Sequence, residues 1–205
     1  TVLLNKAQVS EVLISGTGTK GITVNENSKL VLAKDQASVV TADIDNAKGD
    51  MATSTPKKTG TLLLDVNASQ TTSVATGAKV DTVLLTAGKL ADKDGKAQTV
   101  TIKDFITHAN TDTIVVNGAN DLVITKLSSG DADTVVATAH TGKLTINDFT
   151  TGMTTKVFSG SNNDTFVSKT AAAVLEISSG AGNDTVDLSV STAANKINLG
   201  EGDDT

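Results

Sequence analysis

The chain has no cysteine, no tryptophan, no tyrosine, no arginine, and one proline in 205 residues. Without cysteine there is neither a disulfide framework nor a thiolate-ligated zinc or iron–sulfur site. Without arginine, and with a net charge of −6, the chain lacks the phosphate-pairing surface of a nucleic-acid binder. Four phenylalanines are its whole aromatic content, too few for the stacking platforms of a saccharide-cleaving groove. No apolar run approaches the roughly 18 residues of a membrane-spanning helix. Gly-x-Ser-x-Gly and His-Glu-x-x-His are both missing, and the expectation is a protein that is not an enzyme. No signal peptide opens the chain, and a sequence that begins at Thr1 and stops inside a repeat reads as part of a longer protein.

What is present is threonine, alanine, valine, glycine, serine and aspartate. Aspartate supplies 19 of the 23 acidic residues, and aspartate rather than glutamate serves tight turns and compact oxygen-ligand sites. Three stretches near the C-terminal end repeat one pattern: Ser159-Gly160-Ser161-Asn162-Asn163-Asp164-Thr165-Phe166, Ser179-Gly180-Ala181-Gly182-Asn183-Asp184-Thr185-Val186 and Leu199-Gly200-Glu201-Gly202-Asp203-Asp204-Thr205. Asp164, Asp184 and Asp204 recur every 20 residues. A short fixed period marks a solenoid, in which successive coils stack. Stacking puts the three aspartates in register about 4.8 Å apart. Two carboxylates at that spacing repel by roughly 3–4 kcal/mol at an effective dielectric of about 20, so the ladder calls for a positive charge between its rungs. Carboxylates beside glycine carbonyls suit a hard, oxygen-seeking cation, with calcium the natural choice.

These turns resemble the repeats-in-toxin (RTX) family, whose nonapeptide is Gly-Gly-x-Gly-x-Asp-x-apolar-x. The match is good at Gly180, Gly182, Asp184 and Val186, and at Gly200, Gly202 and Asp204. It is degraded at Gly160, Asn162, Asp164 and Phe166, where asparagine replaces the second glycine. Ser159, Ser179 and Leu199 stand where the family has its first glycine. The resemblance implies an all-β chain, a parallel β-roll or β-helix, with calcium held between stacked turns by aspartate carboxylates and turn carbonyls. It also implies type I secretion and folding outside the cell once calcium is met. A structural segment of a bacterial surface layer (S-layer) is the reading that follows, with self-association into a surface lattice. Anchoring to cell-surface polysaccharide would lie outside this segment. The alternatives are the repeat domain of a secreted adhesin, toxin or hydrolase, and a carbohydrate-active β-helix.

Asp-Thr-apolar recurs more widely, at Asp81, Asp112, Asp133, Asp164 and Asp184, with Asp204-Thr205 last. The steps are 31, 21, 31, 20 and 20 residues. Both long steps contain a similar phrase, Val100-Thr101-Ile102-Lys103-Asp104-Phe105 and Leu144-Thr145-Ile146-Asn147-Asp148-Phe149. One series of coils of about 20 residues, lengthened by such an insert in alternate coils, accounts for the spacing. Aligned on the glycine turns, Val157, Ile177 and Ile197 form one apolar column, and Phe166 and Val186 another. Thr185, Asp187 and Ser189 alternate with Val186, Leu188 and Val190, the period of a strand with one face inward. The opposite turns, 169–173 and 191–195, lack glycine and aspartate, so calcium lines one edge only.

Residues 80–205 form this solenoid, and residues 1–79 are β-rich with strands at 9–14, 21–25, 29–33 and 61–66. These four continue the β-helix, the favoured reading, or belong to a separate β-sandwich. The proline-bearing stretch 53–60 is a hairpin or a boundary. Asp133, preceded by Ser128-Ser129-Gly130 and paired with Asp131, is a candidate degenerate calcium turn. Asp43 and Asp45 read as a solvated edge. Asp92, Asp94, Gly95 and Lys96 start like an EF-hand loop but lack its closing glutamate, which favours a surface hairpin. His108 and His140 sit in polar, turn-like contexts with no partner at ligand spacing.

Overall fold

The computed structural model describes residues 2–3, 10–18, 21–25, 28–45, 60–88, 98–129, 131, 133–150 and 154–205. Stretch 53–59 and the Asp92–Lys96 segment lie outside the described residues, as does Gly130. In chain order the first strands are β1 (Val2–Leu3), β2 (Glu11–Ile14), β3 (Gly21–Asn25), β4 (Lys29–Leu32), β5 (Val40–Asp45), β6 (Thr61–Val66) and β7 (Gln70–Thr76). Then come β8 (Thr82–Ala87), β9 (Thr99–Thr107), β10 (Thr113–Asn117), β11 (Asp121–Ile124), β12 (Leu127–Ser129), β13 (Thr134–Val136) and β14 (Leu144–Ile146). The last are β15 (Phe149–Thr150), β16 (Thr154–Phe158), β17 (Thr165–Val167), β18 (Val174–Ser178), β19 (Thr185–Asp187) and β20 (Lys196–Asn198). Among the described residues there is no helix, and so none long and apolar enough to cross a membrane.

Apart from β12 and β15, which follow a strand of their own sheet, consecutive strands alternate between two sheets. One has the order β1-β3-β5-β7-β9-β11-β14-β17-β19, the other β2-β4-β6-β8-β10-β13-β16-β18-β20, and strands pair in parallel throughout. The chain is thus an all-β parallel solenoid of about seven turns with coils of about 22 residues. The pairing passes residue 80 without a change of sheet, since β6 pairs β8 and β7 pairs β9.

The alternating strands explain the winding. In Thr61-Leu62-Leu63-Leu64-Asp65-Val66 every second side chain is buried, and the same holds for β8 and β10. Parallel register then stacks like on like. Leu62, Val83, Ile114, Val135, Val157, Ile177 and Ile197 form one continuous inward column across seven strands. Ile102, Ile124, Ile146, Phe166 and Val186 form another in the facing sheet. Both columns found in the sequence are therefore segments of longer ones.

Between β9 and β15 the coil has three walls, one of them continuing from β7 through the pairing of Val74 with Phe105. The second half of β9 pairs β12, and β12 pairs β15, which aligns Phe105, Leu127 and Phe149. All three are fully buried. From β16 onward this wall is missing and the coil is two-sided.

Register corrects two expectations. The Asp-Thr-apolar phrases are not one series. Thr82, Thr113 and Thr134 are stacked in one sheet, with Lys156 as the next partner, while Thr145, Thr165 and Thr185 are stacked in the other. The second 31-residue step therefore runs a full coil and then crosses from one edge to the other. Nor is the Thr-Ile-x-Asp-Phe phrase an insert. Val100, Leu122 and Leu144 align, so every coil of this region has that wall, in one case spelled Leu122-Val123-Ile124-Thr125-Lys126-Leu127. The extra residues of the first long step lie between β8 and β9 instead.

Candidate metal centre

The glycine turns connect β16 to β17, β18 to β19, and β20 to the terminal Asp204-Thr205, all on one edge. Their stacking is close. Gly180 and Gly200 have φ of 99° and 94°, in the left-handed region that side chains avoid. A Cβ on Gly200 would lie 1.8 Å from the Gly180 carbonyl oxygen, so only glycine lets the turns approach this nearly. The Ala181 amide donates to Gly160 O and the Glu201 amide to Gly180 O, both at 3.0 Å. Gly182 and Gly202 also have positive φ, 127° and 141°. Gly160 does not, so the first turn is built differently, and Asn162 there donates its side-chain amide to Thr141 O at 2.7 Å.

The three aspartates do form a ladder. Oδ1 of each accepts a backbone amide from the coil before: Leu144 N to Asp164 at 2.7 Å, Asp164 N to Asp184 at 2.7 Å, and Asp184 N to Asp204 at 2.8 Å. A second ladder runs beside it in the opposite sense. Asp121 Oδ1 accepts from Lys143 N at 2.9 Å, Asn163 Oδ1 from Asn183 N at 2.8 Å, and Asn183 Oδ1 from Asp203 N at 3.0 Å. Sequence reasoning missed this amide-capping column. Its signal was the amide or carboxylate residue that recurs one place before the aspartate ladder, at Asn163, Asn183 and Asp203.

The other carboxylate oxygens separate the rungs. Asp164 is 2% exposed, and its Oδ2 accepts the Ser159 hydroxyl. Asp184 is 1% exposed, and its Oδ2 is buried with no hydrogen-bond partner. Asp204 is half-buried. Burial pushes the Asp164 carboxyl above its usual pKa and the Asp184 charge adds to that, against the hydrogen bonds from Ser159 and Leu144.

The structure places Asp133 apart from these residues. It precedes β13 on the opposite edge, stacked with Asp81 and Asp112, and is not a rung of the Asp164–Asp204 ladder. It is 1% exposed, its Oδ2 accepts from Thr107 Oγ1 at 2.6 Å, and its Oδ1 is buried without a partner. Desolvation pushes its pKa up to about 6, with Thr107 and Ser129 pulling down and the charges of Asp112 and Asp131 pushing further up. Asp43 caps the turn one coil on, accepting from Lys79 N at 3.1 Å.

His140 lies on the glycine edge, its carbonyl oxygen 2.8 Å from where a Cβ on Gly160 would be. It is buried, and neither ring nitrogen has a hydrogen-bond partner. Burial holds its imidazole below the usual pKa, partly offset by the Asn117 backbone and by the charge of Asp164. His108 is exposed.

Among the described residues no three His, Cys, Asp or Glu side chains gather as a metal cluster. A cation on this edge would therefore rest on one or two carboxylates completed by backbone carbonyls. Among the aspartates of this edge the donor set fits that description, since the Asp184 Oδ2 is a buried oxygen that lacks any donor. Comparison with known proteins finds no family model, no curated protein and no solved structure that matches this chain.

Proposed function

We propose that this chain is a structural segment of a bacterial cell-surface protein of the surface-layer kind, whose glycine/aspartate turns take calcium as the solenoid folds outside the cell. The observation that carries the reading is the Asp184 rung: a carboxylate oxygen buried without a partner, inside a column of aspartates and between stacked glycine turns. A buried, unpaired carboxylate oxygen costs several kcal/mol, and a cation is the simplest group that removes that cost. The resemblance of these turns to RTX repeats points the same way.

When bound, calcium supplies the positive charge that the stacked carboxylates lack. The chain's own part is to hold Asp184 and Asp204 in register, by donating the Asp164 and Asp184 amides to them, and to bring glycine carbonyls close through positive φ. Metal affinity then becomes folding energy. Where calcium is scarce the acidic turns repel and favour the extended, exportable chain. Where it is plentiful they close. An uninterrupted parallel stack with few aromatics suits a load-bearing or lattice element, and the proposed partner is a second copy of the surface protein.

The test is far-UV circular dichroism during a calcium titration, with magnesium as control. The reading expects β signal to rise with calcium alone and to fall on chelation. Equal β signal in calcium and in excess chelator would leave a plain β-solenoid.

A further inference from the structure

The three turns occupy equivalent places in successive coils, yet they satisfy their aspartates in three ways. The difference comes from the position five residues before each aspartate, occupied by Ser159, Ser179 and Leu199. In the first turn Ser159 donates its hydroxyl to Asp164 Oδ2. With Leu144 N on Oδ1, both oxygens of this carboxylate have donors. In the second turn Ser179 donates to Leu199 O at 2.6 Å instead, and Asp184 Oδ2 is left bare. In the third turn Leu199 has no donor to offer.

A second position changes in step. Asn162 uses its amide to take up the Thr141 carbonyl of the preceding coil. The equivalent residues Gly182 and Gly202 have no side chain, and their positive φ brings the turn directly onto the one before. At this position the first turn is closed by a side chain, and the second and third by backbone alone.

We propose that the Ser159 hydroxyl, assisted by the Asn162 amide, substitutes for a cation at the first turn, so that the calcium requirement of the ladder begins at Asp184 and not at Asp164. This rests on the calcium reading of the edge and assigns its rungs. A hydroxyl donor neutralises no charge, but it satisfies the lone pair that would otherwise face a buried void. The first turn thereby forms a metal-independent platform onto which the next can be added. Asp164 belongs to the fold and Asp184 to the metal.

Calcium binding to the whole chain by calorimetry, with calcium chloride as titrant, separates these roles. Asp184→Asn is expected to remove one bound calcium per chain or to weaken it at least tenfold. Asp164→Asn is expected to keep the wild-type stoichiometry. Ser159→Ala bares Asp164 Oδ2, so this variant melts below the wild type in chelator and gains more than the wild type does from calcium. Equal loss of calcium in Asp164→Asn and Asp184→Asn overturns the proposal, and so does an unchanged calcium gain in Ser159→Ala. Should Asp184→Asn fail to fold, the other two variants decide. A wild-type chain that takes up no calcium defeats the calcium reading itself, and the assignment with it.

Discussion

In the coils between residues 98 and 150, three walls close around Phe105, Leu127 and Phe149, and the turns need only amide caps such as Asp121 on Lys143. From Thr154 onward two walls face each other, the coil shortens to 20 residues, and two or three apolar columns remain. There the turn edge contains the buried Asp164 and Asp184 and the tightly stacked glycines. The same winding is therefore held by different means. A thick apolar core makes the middle coils self-sufficient, because each buried Leu, Ile or Phe contributes about 1.5–3 kcal/mol. With less to bury, the later coils depend on what happens at their turns. Under the proposed calcium reading, dependence on the metal belongs to the second region and not to the first.

The comparison is tested most heavily at its apolar end. Phe149→Ala empties a place at the end of the Phe105–Leu127–Phe149 column and should cost about 3–5 kcal/mol in urea unfolding, equally in calcium and in chelator. A cost that depended on calcium would show that the middle coils are not independent of the edge.

Asp133 is the exception within that region, a buried carboxylate whose Oδ1 has no hydrogen-bond partner. Its folded pKa is about 6 against an ordinary 3.8, so folding favours the protonated form. The penalty is absent below about pH 4, grows between about pH 4 and 6, and is complete above. Asp133→Asn should therefore stabilise the chain by up to about 3 kcal/mol at pH 8 and leave stability unchanged at pH 4, read from urea midpoints at the two pH values. A variant less stable than the wild type at pH 8 would show that Asp133 has a partner of positive charge.

The smallest of these effects compares two glycines of similar backbone. Gly118 and Gly200 have φ of 112° and 94°, one in each region. Backbone strain alone costs alanine roughly 1–2 kcal/mol at either place, and the new Cβ would also press on a carbonyl oxygen of the preceding coil, 2.9 Å away at Gly118 and 1.8 Å away at Gly200. Only Gly200→Ala is expected to diminish the calcium-induced change in circular dichroism. Loss of the response in Gly118→Ala as well would erase the distinction between the regions.

Much of this architecture was legible in the sequence because the solenoid repeats its chemistry. Val157, Ile177 and Ile197 align by counting alone, and so do Phe166 and Val186. The Asp-Thr phrase misled for a physical reason. Asp133 and Asp164 both precede a strand that leaves a turn, where a short carboxylate accepts a donor and a β-branched residue opens the strand, and both edges of the solenoid present that situation. Spacing alone does not separate a full coil from a coil and a crossing. The middle coil through Leu122, Ile124 and Leu127 was hidden because Val123, Lys126 and Leu127 replace the threonine, aspartate and phenylalanine of the phrase, changes that preserve the apolar column but not the phrase. Ser159 escaped notice because its donor role depends on which neighbour its hydroxyl meets, and Ser179, the same residue at the same position, meets a different one.

Hydrogen exchange of the backbone amides, compared with and without calcium, tests the division between the regions most directly. The account predicts that amides between residues 98 and 150 stay protected in both conditions, while those from residue 174 to the end gain protection only with calcium. Strong protection of β18, β19 and β20 in chelator, equal to that of β9 to β14, would contradict it.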